Sequence, residues 1–180
     1  DFDPLGKRIA LSKSNKGNSD IYIVNVKNKK MKRLTFYEGI DCSPSWSPTG
    51  REIVFVSDRS GSPQLWITDA EGGNKRRLTH FGSYSDSPSW SPKGDKIVFQ
   101  SRQNGKFEIF TIQPGGSDLV KLTNGEGSNE NPVWAPDGRH VMFSSTRNGK
   151  KQLYVMDTIT RTSVKITDDK AEYSSPSWCR

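Results

Sequence analysis

Pro44-Ser45-Trp46-Ser47-Pro48-Thr49-Gly50 decides the fold of this chain because it comes back. It returns as Pro88-Ser89-Trp90-Ser91-Pro92-Lys93-Gly94 and as Pro132-Val133-Trp134-Ala135-Pro136-Asp137-Gly138. A further copy opens at Pro176-Ser177-Trp178, and a worn one, Phe2-Asp3-Pro4-Leu5-Gly6, stands at the beginning. The tryptophans at 46, 90, 134 and 178 are each 44 residues from the last, with no insertion.

Other columns keep the same period. Ile9-Ala10-Leu11, Ile53-Val54-Phe55, Ile97-Val98-Phe99 and Val141-Met142-Phe143 are short apolar runs behind a turn, so they read as strands buried on both faces. Loops closing on Gly17, Gly61, Gly105 and Gly149 follow, with small polar neighbours such as Asn104 and Asn148 that suit tight hairpins. Next come Ile21-Tyr22-Ile23, Leu65-Trp66-Ile67, Ile109-Phe110-Thr111 and Leu153-Tyr154-Val155. The unit ends on Leu34-Thr35, Leu78-Thr79, Leu122-Thr123 and Ile166-Thr167, each preceded by Lys or Arg. Cationic side chains there blunt an outermost strand against edge-to-edge pairing. No stretch has a helical period. A repeat of about 40–45 residues built from four antiparallel strands marks a propeller blade. The fold class expected is therefore all-β, a β-propeller of four-stranded antiparallel blades. It occupies 1–180 as one domain or propeller segment, with repeats at about 5–46, 47–90, 91–134 and 135–178. The tryptophan column is expected to pack between blades rather than to cage a ligand.

Composition agrees. Of 180 residues only 31% are hydrophobic, with 16 Gly and 10 Pro, which is lean for helices and ordinary for short strands with many turns. No run approaches the ~18 apolar residues of a membrane span, and no leader pattern is seen in the residues given. The net charge of +7 invites nucleic acid, yet the 27 Lys and Arg run through every repeat and no nucleic-acid-binding motif occurs. Nucleic acid is therefore not an expected partner. Cys42 and Cys179 stand five residues apart in repeat register. That is about 17 Å at ~3.3 Å per residue, well beyond disulfide reach.

Dipeptides of the WD40 type and sialidase Asp boxes are missing. Pro44 to Gly50, Ile53 to Ser57, Leu65 to Asp69 and Leu78-Thr79 instead resemble the repeat of the TolB-like (PD40, WD40-like) β-propeller family. That pattern is Pro-x-Trp-Ser-Pro-Asp-Gly, then Ile-x-Phe-x-Ser, an aromatic strand and Leu-Thr. Departures are Leu5 and Thr49 in place of Asp, and Asp3 and Cys179 in place of Ser. The resemblance implies a non-catalytic protein-binding module of the periplasm, in a Tol–Pal-type envelope system, with a peptidoglycan-associated lipoprotein as partner. It also implies that the lone strand at 173–180 completes the first blade, although Phe2 and Trp178 compete for one repeat position. Ring size stays open between a closed four-bladed ring, a homodimer sharing eight blades, and four blades of a longer propeller. The same repeat occurs in peptidases of the tricorn and prolyl-oligopeptidase types, so a propeller cut from a catalytic domain is the alternative function. A trimmed or engineered repeat protein is a further one.

Chemistry, if present, belongs in the loops that lead into each innermost strand. These carry Glu38 and Asp41, then Asp86, then Glu126 and Glu130, then Asp168, Asp169 and Glu172. The expectation is a ring of Asp41, Asp86 and Glu130 at the channel mouth, flanked by Glu38 and Glu172. Lys13, Lys16, Arg59, Arg102, Lys106, Arg147 and Lys150 would form a basic rim outside it. Such a funnel suits a cation or a cationic partner loop, with Ca2+ as the ion its carboxylates would take. No cofactor is otherwise expected. His80 and His140 lie in different repeat columns without metal-ligand spacing, and no nucleophile elbow or phosphate loop occurs, so catalysis is not expected.

Overall fold

The computed structural model describes residues 1–168 and 170–178. Among these residues there are strands and no helix, so none is long and apolar enough to cross a membrane. The first sheet holds β1 (Arg8–Asn15), β2 (Asn18–Asn25) and β3 (Met31–Arg33). The second holds β4 (Asp41–Trp46), β5 (Glu52–Ser57), β6 (Gln64–Asp69) and β7 (Arg76–Arg77). The third is β8 (Ser85–Trp90), β9 (Ile97–Gln103), β10 (Lys106–Ile112) and β11 (Val120–Lys121), and the fourth β12 (Asn129–Trp134), β13 (His140–Ser145), β14 (Gln152–Asp157) and β15 (Ser163–Lys165). Each sheet is an antiparallel meander in chain order, which is a propeller blade.

Alternation within the strands makes the blades stack. Val54, Val56, Leu65 and Ile67 of the second blade pack on Trp90, Ile97, Phe99 and Phe110 of the third. Ala10, Ile21, Ile23 and Leu34 meet Trp46, Ile53 and Phe55 across the first interface, and Val98, Ile109 and Leu122 meet Trp134, Val141, Phe143 and Tyr154 across the last. Phe55, Phe99 and Phe143, one per repeat, are wholly buried. The A-to-B turns stack too: a Cβ on Gly94 would stand 3.3 Å from Pro48 of the preceding blade, so this column needs glycine for close approach as well as for its positive φ.

The Leu-Thr ending has a specific task. Thr35, Thr79, Thr123 and Thr167 each accept the backbone N–H of the residue that opens the apolar run of the third strand, at 2.9–3.0 Å. Each hydroxyl then donates to the side chain just before that residue, which is Asp20, Gln64, Glu108 or Gln152. A threonine supplies both functions at once, and the outermost strand is tied to its neighbour although it is only two or three residues long.

The ends depart from the expected closure. Asp1 and Phe2 occupy the innermost slot of the first blade: the terminal ammonium donates to Ala10 O at 2.8 Å, Ala10 N donates to Asp1 O at 2.9 Å, and Phe2 bridges Ile9. The Asp1 carboxylate accepts Trp46 N at 2.8 Å, doing for this blade what Ser45 Oγ does for Trp90 and Ser89 Oγ for Trp134. The segment 173–178 starts as the inner strands do, with Tyr173 N donating to Lys151 O as Ser85 N donates to Pro63 O. Among the described residues it pairs with no strand of the first blade. The slot it was expected to fill is already hydrogen-bonded, and Val133 offers no oxygen where Ser45 and Ser89 do. Among the described residues the first and fourth sheets do not touch, so the blades form an open arc. Cys179 lies outside the described residues.

Candidate protein-binding face

The innermost strands line a cavity of about 430 Å3 on the propeller axis, walled by Pro44, Trp46, Pro88, Trp90, Pro132 and Trp134 and by the segment ending at Trp178. Each inner strand is bulged, with register skips between Cys42 and Ser45, Asp86 and Ser89, and Glu130 and Val133. The bulge falls on Ser43, Ser87 and Asn131, all left-handed at φ 52–54° and all preceding proline. A left-handed residue before proline is strained, and bulges re-aim the side chains beside them. The loops leading into these strands lie at the end of the propeller where Asn18 Nδ2 donates to Tyr37 O and Ser19 N to Gly39 O.

At this end the structure separates the three carboxylates expected to form a ring. Asp41 is wholly buried, and the Arg59 guanidinium donates to both its oxygens at 2.7 and 3.0 Å. Arg59 in turn lies over the rings of Tyr37 and Trp66, at 5.0 Å from each centroid. Both residues therefore belong to the blade interior rather than to a channel mouth or a rim. Repeat register explains this: 44 residues on from Asp41 stands Ser85, then Asn129, whose Oδ1 accepts from Arg147 at 3.2 Å. Asp86 and Glu130 belong to the next column, that of Cys42, and strand alternation sends neighbouring columns to opposite faces.

Asp86 is half-buried, accepts the Ser87 N–H and stands 3.4 Å from the Tyr84 hydroxyl. Burial, with the Asp86 charge second, raises the Tyr84 phenol above its ordinary pKa. Burial also raises the Cys42 thiol, aided by the Asp86 and Asp41 charges, which keeps it a protonated, unreactive packing group. Glu130 accepts from Ser128 Oγ at 2.9 Å and from Lys151 Nζ at 2.8 Å. Glu38 and Glu172 are exposed. Of the expected rim, Lys13, Lys16, Arg102, Lys106 and Lys150 remain outside, whereas Arg147 turns inward over Tyr154 at 4.4 Å. Tyr84 and Lys151 were not expected here. A tyrosine two residues before Asp86 was the signal for the first; nothing in the sequence pairs Lys151 with Glu130.

Among the described residues no three His, Cys, Asp or Glu side chains come together to hold a metal ion. His80 is exposed, and His140 Nδ1 lies 2.6 Å from Asp137 Oδ2 on the turn side of the fourth blade. That hydrogen bond, together with the His140 and Arg139 backbone N–H groups, lowers Asp137 to a pKa of about 2.

Comparison with known proteins agrees with this architecture. The model of the TolB β-propeller domain, PD40, matches residues 1–180. The crystal structure of TolB from Acinetobacter baumannii is 28% identical, with a TM-score of 0.86 over 97% of this chain and 44% of that one. A putative TolB from Agrobacterium tumefaciens is 24% identical, with a TM-score of 0.85 over 96% of this chain and 62% of that one. The chain thus spans less than two thirds of either TolB. A puromycin-hydrolysing peptidase from Mycobacterium tuberculosis shares the fold at 13% identity, with a TM-score of 0.74 over 92% of this chain and 27% of the peptidase. No curated protein matched the chain by sequence. A 44-residue unit folded as a four-stranded blade, repeated with one Trp per inner strand and matched along its whole length, makes this chain a member of the TolB β-propeller family.

Proposed function

We propose that this propeller is a non-catalytic protein-binding module of the bacterial cell envelope, acting in the periplasm in a Tol–Pal-type system. The partner is a peptidoglycan-associated lipoprotein, received at the end of the channel formed by the lead-in loops. The observation that carries the reading is family membership along all 180 residues, together with the likeness to a TolB at 28% identity. The loops supply the chemistry. Glu38 and Glu172 are exposed, half-buried Asp86 precedes Ser87 of the channel wall on β8, and the channel is walled by Pro and Trp, so a partner loop would meet apolar walls behind an acidic margin. Asp41 drops out of the binding set because Arg59 neutralises it inside the blade. The peptidase alternative has only a fold likeness behind it and no residue constellation in this chain.

Titration calorimetry of the full chain against a purified, soluble peptidoglycan-associated lipoprotein tests the reading. Replacing Glu38 and Asp86 together by alanine is expected to weaken binding about tenfold or more, the scale of interface groups worth over ~1 kcal/mol. No binding by the unaltered chain, or equal affinity for the double variant, would overturn it.

A further inference from the structure

Each blade has a turn between its third and outermost strands, at the end opposite the lead-in loops. Three of these turns contain a carboxylate. Asp69 accepts the N–H groups of Glu71 and Gly73 at 3.0 and 2.7 Å, Asp157 accepts Ile159 N–H at 2.8 Å, and Asp118 stands 3.7 Å from Lys96. At the repeat position of Asp69 and Asp157 the first blade has Asn25. Its Oδ1 accepts from Lys27 N and Asn28 N at 3.0 and 3.1 Å, while its backbone exchanges bonds with Lys29 and Lys30 at 2.9 Å. An amide in place of a carboxylate leaves a well-formed turn without negative charge of its own.

Lysines crowd onto that frame. Lys27, Lys29 and Lys30 are exposed, Lys32 follows in β3, and Lys7 is brought alongside where Val26 N donates to Lys7 O at 2.9 Å. Among the described residues only Lys32 of this group has a carboxylate partner, Glu71 at 2.8 Å. Met31 stands in the middle of the cluster at 48% exposure. Although Lys and Arg run through every repeat, five of the 27 thus gather at one corner, four of them without a carboxylate partner among the described residues.

We propose that this corner of the first blade docks on an anionic lipid surface, its lysines on the phosphate headgroups and Met31 at the apolar boundary beneath them. Lysine is a compact, mobile point charge that suits a diffuse array of headgroups, whereas a single phosphate or base is better read by a guanidinium fork or a stacking ring. The turn contains neither: residues 25–32 hold no aromatic or arginine, and the guanidinium of the adjacent Arg33 is already engaged, donating to Thr35 O at 2.9 Å and to Asp20. Four or more lysines beside one exposed apolar residue is the composition of a peripheral lipid-binding patch. The proposal is independent of the lipoprotein reading, since the two surfaces lie at opposite ends of the blades.

Co-sedimentation of the full chain with vesicles tests it. Binding is expected to vesicles of phosphatidylcholine mixed equally with phosphatidylglycerol and not to phosphatidylcholine alone. It should disappear at about 1 M salt, where the screening length is about 3 Å. Lys27→Gln, Lys29→Asn and Lys30→Gln together should lower partition roughly a hundredfold, a factor of about five for each lysine. Asparagine is used at 29 because that residue is left-handed, with φ 59°. A control variant with the same charge loss at the other end, Lys16→Asn, Lys106→Gln and Lys150→Gln, should bind nearly as the parent does. No preference for the anionic vesicles, or equal loss in both variants, overturns the proposal. So does displacement from the vesicles by duplex DNA at matched phosphate concentration, which would assign the corner to nucleic acid. The salt series uses the unaltered chain and keeps the test valid should a variant misfold.

Discussion

Two kinds of blade face carry the same sequence pattern and differ completely in burial. Leu34, Leu78 and Leu122 are 1%, 3% and 5% exposed, each pressed between two blades. Ile166, one repeat further on, is 50% exposed, because beyond the fourth blade no sheet covers it among the described residues. On the far side of the first blade Ile9, Leu11, Tyr22 and Val24 are likewise only half-buried, although their counterparts Ile97, Phe99, Phe110 and Ile112 are core. Hydrophobicity at a repeat position therefore records what the position is for. Its contribution to stability depends on whether a neighbour is present, as expected where each repeat contacts only its neighbours.

The largest effect should come from setting one column of the inner interfaces against the outer one. Phe99→Ala is expected to cost about 3–5 kcal/mol in denaturant unfolding, the range for emptying an aromatic core site. Leu11→Ala, at the same repeat position, should cost about 1 kcal/mol, an ordinary value for a partly exposed site. Equal losses would break the comparison. Next is the buried ion pair: Asp41→Ala leaves Arg59 without its partner and should cost about 3 kcal/mol. Asp168→Ala, at an exposed pair with Lys165 in the fourth blade, should change stability by less than about 0.5 kcal/mol. Thr123→Val removes two hydrogen bonds inside the third blade and should cost about 1–2 kcal/mol, more than Thr167→Val beside the uncovered face. The smallest effect concerns pH. Asp137 has its folded pKa depressed to about 2, so its contribution is complete above the unfolded value of about 3.9 and is lost as pH falls through about 2. Carboxyl NMR should show the low value, and His140→Ala should return it towards the ordinary range.

The strands were largely legible in the sequence. Ile53-Val54-Phe55 lies in β5, Leu65-Trp66-Ile67 in β6, and Arg76-Arg77 is all of β7, because period, turn residues and apolar runs agree there. The lead-in loops were less so. Asp41, Asp86 and Glu130 look alike as acids upstream of a tryptophan, but a one-residue difference in register sends Asp41 to Arg59 and leaves the other two in the next column. Pairings such as Glu130 with Lys151 join residues from different strands without any local signal. The closing strand was misplaced for a related reason. Repeat arithmetic gives Phe2 and Trp178 one position, and only the hydrogen bonds of Asp1 decide which residue holds it. The lysines of the first turn could have been noticed, since residues 27–33 contain five cations, but not their lack of carboxylates in space.

Hydrogen–deuterium exchange of the whole chain tests most directly the claim that covered faces, not sequence pattern, hold the molecule together. The account predicts the slowest exchange in β5, β9 and β10, which lie between blades, and markedly faster exchange in β14 and in β2, where the same pattern has one face open. Equal protection of β14 and β10, hydrogen-bonded alike and differing only in their neighbours, would contradict it.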